Sequence, residues 1–140
     1  MARIVTIEDD GKVKAVLNIK ATEAQVLARD TALTTGDGKF YLQIPESIAG
    51  FNLTGIAVKL VTASTSGLPS FALYNVTDSV DMLSTNVTVD ATETHSKDAT
   101  TAAVIDTAHD GVAYGDELRL DCDVAGTGAA GLYLILEFSS

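Results

Sequence analysis

The sequence predicts an all-β protein: a single antiparallel β-sandwich, jelly-roll-like, with one short helix or crossover near residues 21–30. Apolar residues recur at a period of two along many short runs, which is typical of strands with one buried face. Glycine, aspartate and asparagine cluster between these runs, where tight turns need them. The 140 residues, 46% hydrophobic and 20% charged, have the size and composition of one globular domain.

The sequence predicts two parts of the chain: an N-terminal segment over residues 1–20, which forms a unit of its own, and a sandwich domain over residues 21–140. The run "RIVTIEDDGKVKAVLNIK" predicts two strands around a turn. This β-hairpin either supplies the first strands of the sandwich or forms a docking arm that adds to the sheet edge of a neighbouring subunit. As an arm, it is expected to make its contacts through Ile4, Val5 and Ile7.

The helix candidate is the run "ATEAQVLARD" over residues 21–30. Thr22 is a suitable N-cap, and Val26 and Leu27 are placed to pack against a core. Because the run is short, we expect either a single helix or an irregular crossover.

The remaining strands are predicted from alternation, which assigns one face of each to the core. The residues expected to face inward are Phe40, Leu42 and Ile44; Ile56, Val58 and Leu60; Phe71 and Leu73; Val87 and Val89; Leu118, Leu120, Cys122 and Val124; and Leu132, Leu134, Leu136 and Phe138.

One segment, "HDGVAYGDELRLDCDV" over residues 109–124, collects five acidic residues, a histidine and the one cysteine of the chain. Alternation places Cys122 on the apolar face, where a free cysteine acts as a small hydrophobe. Arg119, Asp121 and Asp123 fall on the opposite face, and neighbouring carboxylates disfavour the thiolate that a nucleophile needs. We therefore expect a turn and a strand here, with a buried structural cysteine.

Sequence motifs for catalysis and metal binding are also missing. His95 and His109 lie in separate loops without a third ligand, and no HExxH, GxSxG, P-loop or GxGxxG pattern occurs. Asp37, Asp78 and Asp81 are candidate calcium ligands, but they lack EF-hand spacing and are interpreted as turn residues. We expect no enzyme, cofactor or metal, and a hydrolase assembled only by the fold is the disfavoured alternative.

Charge and hydropathy exclude further classes. A net charge of −10 with nine scattered basic residues disfavours nucleic acid and anionic membranes as partners. No run approaches the roughly 18 apolar residues of a membrane span, and the N-terminus lacks a signal-peptide pattern. A soluble protein made in a cytoplasm is therefore expected, and its acidity suits a high copy number.

Aromatic residues give a weak signal for carbohydrate binding, since the chain has four tyrosines and no tryptophan. Tyr41, Tyr74 and Tyr133 lie on the faces opposite the apolar stripes, and Tyr114 lies in a turn. The first three are interpreted as the second face of sandwich strands or as subunit-interface residues.

Three stretches carry a resemblance to a known group: "GDGKFYLQIPESIAGFNLTGIAVKLVTASTSG", "YNVTDSVDMLSTNVTVDATET" and "AVIDTAHDGVAYGDELRLDCDVAGTGAAGLYLILEF". They resemble small jelly-roll proteins and domains of tailed-bacteriophage virions, over about Gly36 to Phe138. The resemblance implies a capsid decoration (cement) protein: a homotrimer, made in the host cytoplasm, that binds the major capsid protein on the capsid surface. It implies no catalytic residues.

The same resemblance allows an alternative, a receptor- or glycan-binding module of a head fibre or tail fibre. A fibre tip generally belongs to a longer polypeptide that carries a shaft or adaptor. Because this chain starts at Met1 and has only a short N-terminal segment, the decoration role is the expected one.

Overall fold

The computed structural model describes residues 2–9 and 12–140, with side chains from Lys20 onward. Within these ranges the strands are β1 (Ala2–Asp9), β2 (Lys12–Ala32), β3 (Gly36–Gln43), β4 (Asn52–Thr62), β5 (Ser70–Asn75), β6 (Val80–Asp81), β7 (Leu83–Thr85), β8 (Val87–Thr88), β9 (Val104–Ile105), β10 (Glu117–Val124) and β11 (Ala130–Ser139). Two short 3₁₀ helices cover Glu46–Ile48 and Ser96–Asp98. No helix in the described ranges has the length and apolar character needed to cross a bilayer.

Two antiparallel sheets form a sandwich, so the predicted all-β fold class is confirmed. Sheet I has the strand order β1-β2-β11-β4, and sheet II has the order β3-β10-β5-β6, with β8 also pairing with β5. A small sheet III consists of β7 and β9. Strands from opposite ends of the chain pair with each other, β2 with β11 and β3 with β10, while β2 and β3 lie in different sheets. This winding is that of a jelly roll.

The core lies between the two sheets and follows the predicted alternation. Val58 and Leu60 of β4 and the inward residues of β5 and β11 are buried. Ile56 of β4 and Phe40 and Leu42 of β3 pack against this core while partly exposed. Each fully buried side chain of this kind stabilises the fold by about 1.5–3 kcal/mol. The largest fully buried side chains are Phe71, Phe138, Ile44, Leu53, Leu60, Leu73, Met82, Leu118, Leu120, Leu132, Leu134 and Leu136.

The helix or crossover expected near residues 21–30 is wrong, because these residues belong to the 21-residue strand β2. β2 pairs with β11 with register shifts on both sides of Leu132. Such β-bulges add residues to one strand, so the neighbouring apolar residues Val26 and Leu27 do not alternate and mimic a helical face. Backbone pairing with β11 overrides the helix propensity of the run.

Gly131 allows the two strands to meet at these bulges. Its φ of +71° is in the left-handed region, and a Cβ there would lie 2.9 Å from the carbonyl oxygen of Arg29 and 2.6 Å from Cγ2 of Val61. Only glycine tolerates both the conformation and the close approach.

The N-terminal strands form a ribbon that continues beyond the sandwich. β1 pairs antiparallel with β2, with Ala2 opposite Lys20, whereas β11 pairs with β2 only from Ile19 onward. Residues 12–18 therefore pair with β1 and with no other strand of the described ranges. We call residues 2–9 and 12–18 the ribbon.

The expected arm contacts Ile4, Val5 and Ile7 lie in β1, but their side chains lie outside the described residues. β2 runs without interruption across residue 20, where the sequence analysis placed its boundary. The division into residues 1–20 and 21–140, and the docking role of the arm, stay predictions.

Candidate functional site

The segment with the one cysteine forms a loop followed by β10, an inner strand of sheet II. Cys122 is only 2% exposed, which confirms the prediction that it is buried, and its thiol donates to the carbonyl oxygen of Val124 at 3.4 Å. Burial raises the pKa of the Cys122 thiol to about 11. Because the thiolate is scarce at neutral pH, Cys122 lacks the reactivity of a nucleophile.

The inward position predicted for Val124 is wrong, since this side chain is 45% exposed. β10 shifts its register against β5 between Cys122 and Val124. The bulge adds a residue, and the alternation that holds from Leu118 to Cys122 ends there.

Asp121 was expected on the outward face, yet it is only 6% exposed. Its carboxylate accepts two hydrogen bonds from Arg119, Nε to Oδ1 at 2.7 Å and Nη2 to Oδ2 at 2.9 Å, and one from the backbone N–H of Gly38 at 2.9 Å. The hydrogen bonds to Asp121 raise the pKa of Arg119. Sequence alternation missed this bidentate pair because β3 bulges around the carboxylate between Gly36 and Phe40.

Arg119 also lies between two tyrosines on the outer face of sheet II. It pairs across the strands with Tyr41 of β3 and Tyr74 of β5, and its guanidinium carbon lies 4.8 Å from the Tyr74 ring centroid. The Tyr41 side chain is 53% exposed. We call Tyr41, Arg119 and Tyr74 the Tyr–Arg row. Tyr133 lies on β11 of sheet I and Tyr114 in the loop before β10, so two of the four tyrosines come together.

A second polar network, which the sequence analysis did not predict, joins the turn after β5 to the loop before β10. The buried Asn75 side chain donates to Asp78 Oδ2 at 3.3 Å and to the buried Asp116 Oδ2 at 3.1 Å. Asp116 also accepts from the backbone N–H of Ala113 at 3.0 Å. Asp116 thus fixes loop backbone, as turn carboxylates commonly do, while the Asp78 carboxylate holds the Asn75 side chain.

The two histidines take part in local contacts. Nδ1 of His109 lies 2.9 Å from Oδ2 of Asp106, and this hydrogen bond lowers the pKa of Asp106. Nδ1 of His95 accepts from the backbone N–H of Lys97 and caps the second 3₁₀ helix. Across the described residues, no group of three or more His, Cys, Asp or Glu side chains is placed to hold a metal ion.

The outer edge of β4 is covered by loops. The backbone N–H of Val58 donates to Oγ of Ser96 at 3.0 Å, and that of Leu60 donates to the carbonyl oxygen of Thr94 at 2.7 Å. Residues 110–111 pair with the start of the same strand. We call this the closed side, and a cavity of about 380 Å³ lies there under residues 96–105.

The opposite side of the sandwich is bounded by β2 and β3. β1 pairs with the outer edge of β2 only up to Lys20, and no strand of the described ranges pairs with that edge over residues 22–32. Between β2 and β3 lies a cavity of about 330 Å³ with mainly apolar walls, the edge cavity. Its lining includes Lys20, Thr22, Leu42, Pro45, Ile48 and Phe138. We call residues 22–32, β3 and this cavity the open side.

Comparisons with family models, curated proteins and solved structures find no match to this chain. The resemblance to virion proteins of tailed bacteriophages therefore stays a prediction from the sequence motifs.

Proposed function

We propose that the protein is a non-enzymatic structural protein of a bacteriophage virion, a capsid decoration (cement) protein that stabilises the assembled head. It is made in the host cytoplasm and binds the major capsid protein on the capsid surface as a homotrimer. The observation that carries the proposal is the ribbon, since β2 leaves the sandwich together with β1 at Lys20.

A two-stranded ribbon is suited to docking because each of its outer edges presents backbone donors and acceptors. Over residues 12–18 the edge of β2 opposite β1 pairs with no strand of the described ranges, because β11 reaches only Ile19. An extended segment of another protein can add to such an edge through main-chain hydrogen bonds.

Stabilisation of the head follows from mass action. A protein that binds the assembled shell, and not its separated subunits, stabilises the shell by about 2.7 kcal/mol per site when its free concentration is 100 times the Kd. A high copy number multiplies this effect over the shell, and the net charge of −10 keeps the free protein soluble at the concentrations required.

Co-sedimentation with empty capsids tests this function. We expect the full chain to sediment with shells, and a variant lacking residues 1–18 to lose most of that binding while the remaining sandwich still unfolds in a single cooperative transition. A full-length variant carrying Ile4→Asp and Ile7→Asp keeps the strand count and serves as the matched control for the deletion. If the full chain itself does not bind shells, the decoration role is wrong.

The Tyr–Arg row supports a second candidate, a receptor- or glycan-binding module of a head or tail fibre. An exposed tyrosine beside an arginine that Asp121 holds in place offers a flat aromatic face with fixed hydrogen-bond donors. A glycan array tests it: Tyr41→Ala should abolish a positive signal, while Tyr114→Ala, at a tyrosine that lies in a loop and is more exposed than Tyr41, should leave the signal intact.

A further inference from the structure

We propose that the closed side holds a binding site for the C-terminal end of another polypeptide, whose last residues lie extended against β4 at Ile56. The site is the cavity of about 380 Å³ under residues 96–105. The inference goes beyond shell binding and is independent of it, because the site uses neither the ribbon nor a capsid.

Ile56 marks a gap in the loops that cover β4. The N–H groups of Val58 and Leu60 donate to the covering loop, so both point to the outer edge of the strand. In a β-strand the backbone groups of every second residue point to the same edge. The register of β4 against β11 is regular from Ile56 to Leu60, so the N–H and C=O groups of Ile56 also point outward.

These two backbone groups of Ile56 bond to no residue that the structure describes. The covering resumes at Leu53, whose N–H donates to the carbonyl oxygen of Asp110 at 2.8 Å. Between the two covered stretches, β4 borders the cavity with Gly55, Ile56 and Ala57. A strand edge with an unpaired donor and acceptor is the kind of surface to which an extended peptide adds.

The loops on both sides of the gap determine which part of a partner fits. Ser96 bonds to β4 at Val58, and residues 110–111 bond to it at Asn52 and Leu53. At about 3.3 Å per residue, Leu53 and Val58 lie about 16 Å apart along the strand. A strand that continued through the gap would collide with one of the two loops. A chain that enters from the solvent and ends in the gap avoids this collision.

The polar groups around the cavity select a carboxyl end. Lys97 is the one charged residue among the described residues of the lining, and it forms no ion pair within the described ranges. The Ser96 hydroxyl accepts from Val58 and donates to no described residue. With the N–H of Ile56, three donors therefore border one cavity. A carboxylate can accept from several donors at once, whereas an N-terminal ammonium would be repelled by Lys97.

The walls of the cavity limit the size of the ligand's side chains. A volume of about 380 Å³ is near the lower end of the range for ligand sites, so it holds only a few small residues. The walls are mixed, with hydroxyl groups beside apolar side chains. The apolar part of the lining consists of Ile56, Ala57, Val87, Ala99, Ala102, Ala103 and Ile105. The ligand class is thus a chain end with small, mainly apolar residues.

An array of synthetic tetrapeptides, probed with the full-length protein, tests the proposal. The peptides contain only glycine, alanine, serine and valine, and each is presented with a free C-terminal carboxylate and as the C-terminal amide. We expect a subset of them to bind as carboxylates and about tenfold more weakly as amides, because the amide lacks the charge that Lys97 attracts. Binding by none of the peptides, or equal binding of both forms, would overturn the proposal.

Two lysine variants test the role of Lys97, with the tightest-binding peptide of the array as the probe. Lys97→Met removes the cation but keeps a long side chain, and it should weaken binding by about tenfold in isothermal titration calorimetry. Lys59→Met is the matched control, since Lys59 is exposed on β4 but does not line the cavity. An unchanged affinity of Lys97→Met, or an equal loss in both variants, would contradict the site.

The backbone of Ile56 provides an independent readout. Because the bound peptide accepts a hydrogen bond from this N–H, its hydrogen exchange, followed by NMR, should slow by about tenfold at a saturating peptide concentration. Exchange at Ile56 that is unaffected by the peptide would show that the peptide binds elsewhere, and the proposal would be wrong. None of these results bears on shell binding, which is measured with capsids.

Discussion

The two edges of sheet I differ in whether other parts of the chain cover them. On the closed side, Ser96, Thr94 and residues 110–111 bond to the backbone of β4, whereas over residues 22–32 the edge of β2 pairs with no strand of the described ranges. Natural sandwiches usually cover or disrupt an edge, because an uncovered one recruits other strands. The difference teaches that the two edges are protected in different ways: loops bond to the backbone of β4, whereas the bulges of β2 opposite Leu132 make its edge irregular.

The largest loss in the free energy of unfolding is expected for a substitution where the open side meets the core. Phe138 is fully buried and also lines the edge cavity, so Phe138→Ala removes core packing and enlarges the cavity. We expect a loss of about 3 to 5 kcal/mol in the free energy of unfolding, measured by urea denaturation. A loss below about 1 kcal/mol would mean that this side is loosely packed throughout.

The buried thiol of Cys122 makes the free energy of unfolding depend on pH. Its folded pKa of about 11 exceeds the ordinary value of 9.0, so the unfolded chain ionises first as the pH rises. The stability that Cys122 contributes is therefore complete below pH 9 and is lost between pH 9 and 11, at a cost of about 2 to 3 kcal/mol. Urea midpoints across this range should fall more for the natural protein than for Cys122→Ala, and parallel curves would contradict the assignment.

The loops that cover β4 should contribute to the free energy of unfolding of the monomer. Ser96→Ala removes the acceptor for the backbone N–H of the buried Val58, and leaving such a group unsatisfied costs about 1 to 3 kcal/mol. Urea denaturation measures the loss, and hydrogen exchange at Val58 should accelerate in parallel. Ser84→Ala is the matched control, since the Ser84 hydroxyl makes only a long hydrogen bond of 3.4 Å at an exposed site.

The smallest effect is expected on the open edge. Gln25→Ala changes an exposed side chain of β2, so it should alter the free energy of unfolding by no more than about 0.5 kcal/mol. Urea denaturation at low protein concentration isolates the monomer. A loss as large as that of Ser96→Ala would show that this edge supports the monomer as well, and the comparison between the two sides would fail.

The sequence predicted the sandwich well where strands alternate without interruption. From Leu132 to Phe138 every second residue is buried, as expected, and the same holds for Val58 with Leu60 and for Phe71 with Leu73. Alternation depends only on the residues of one strand, so it can be recognised in the sequence without knowing which strands pair with it.

The errors fall at bulges, where the partner strand determines the geometry. β2 was interpreted as a helix because register shifts opposite Leu132 interrupt its alternation, and Val124 was placed inside because β10 shifts beside it. Asp121 shares the outer face of β10 with Arg119, as predicted, but its burial was missed because β3 folds around it. The run "GDG" at the start of β3 was the available signal for that bulge, since glycine often marks one.

The two strands of the ribbon were predicted from the sequence, but the different coverage of the two edges of sheet I was not. Alternation indicates which face of a strand is buried, but it does not reveal which edge of a sheet a distant loop covers. The contact of Ser96 with Val58, and the edge cavity between residues near 20 and near 45, depend on how the two sheets stack.

The most direct test of this comparison is hydrogen–deuterium exchange of the full chain at low protein concentration. The backbone N–H groups of Val58 and Leu60, which are bonded to Ser96 and Thr94, should exchange slowly, while residues 28–31, which pair with no strand of the described ranges, should exchange fast. Fast exchange at Val58 and Leu60, or slow exchange over residues 28–31, would contradict the claim that loops cover the edge of β4 and leave the edge of β2 uncovered.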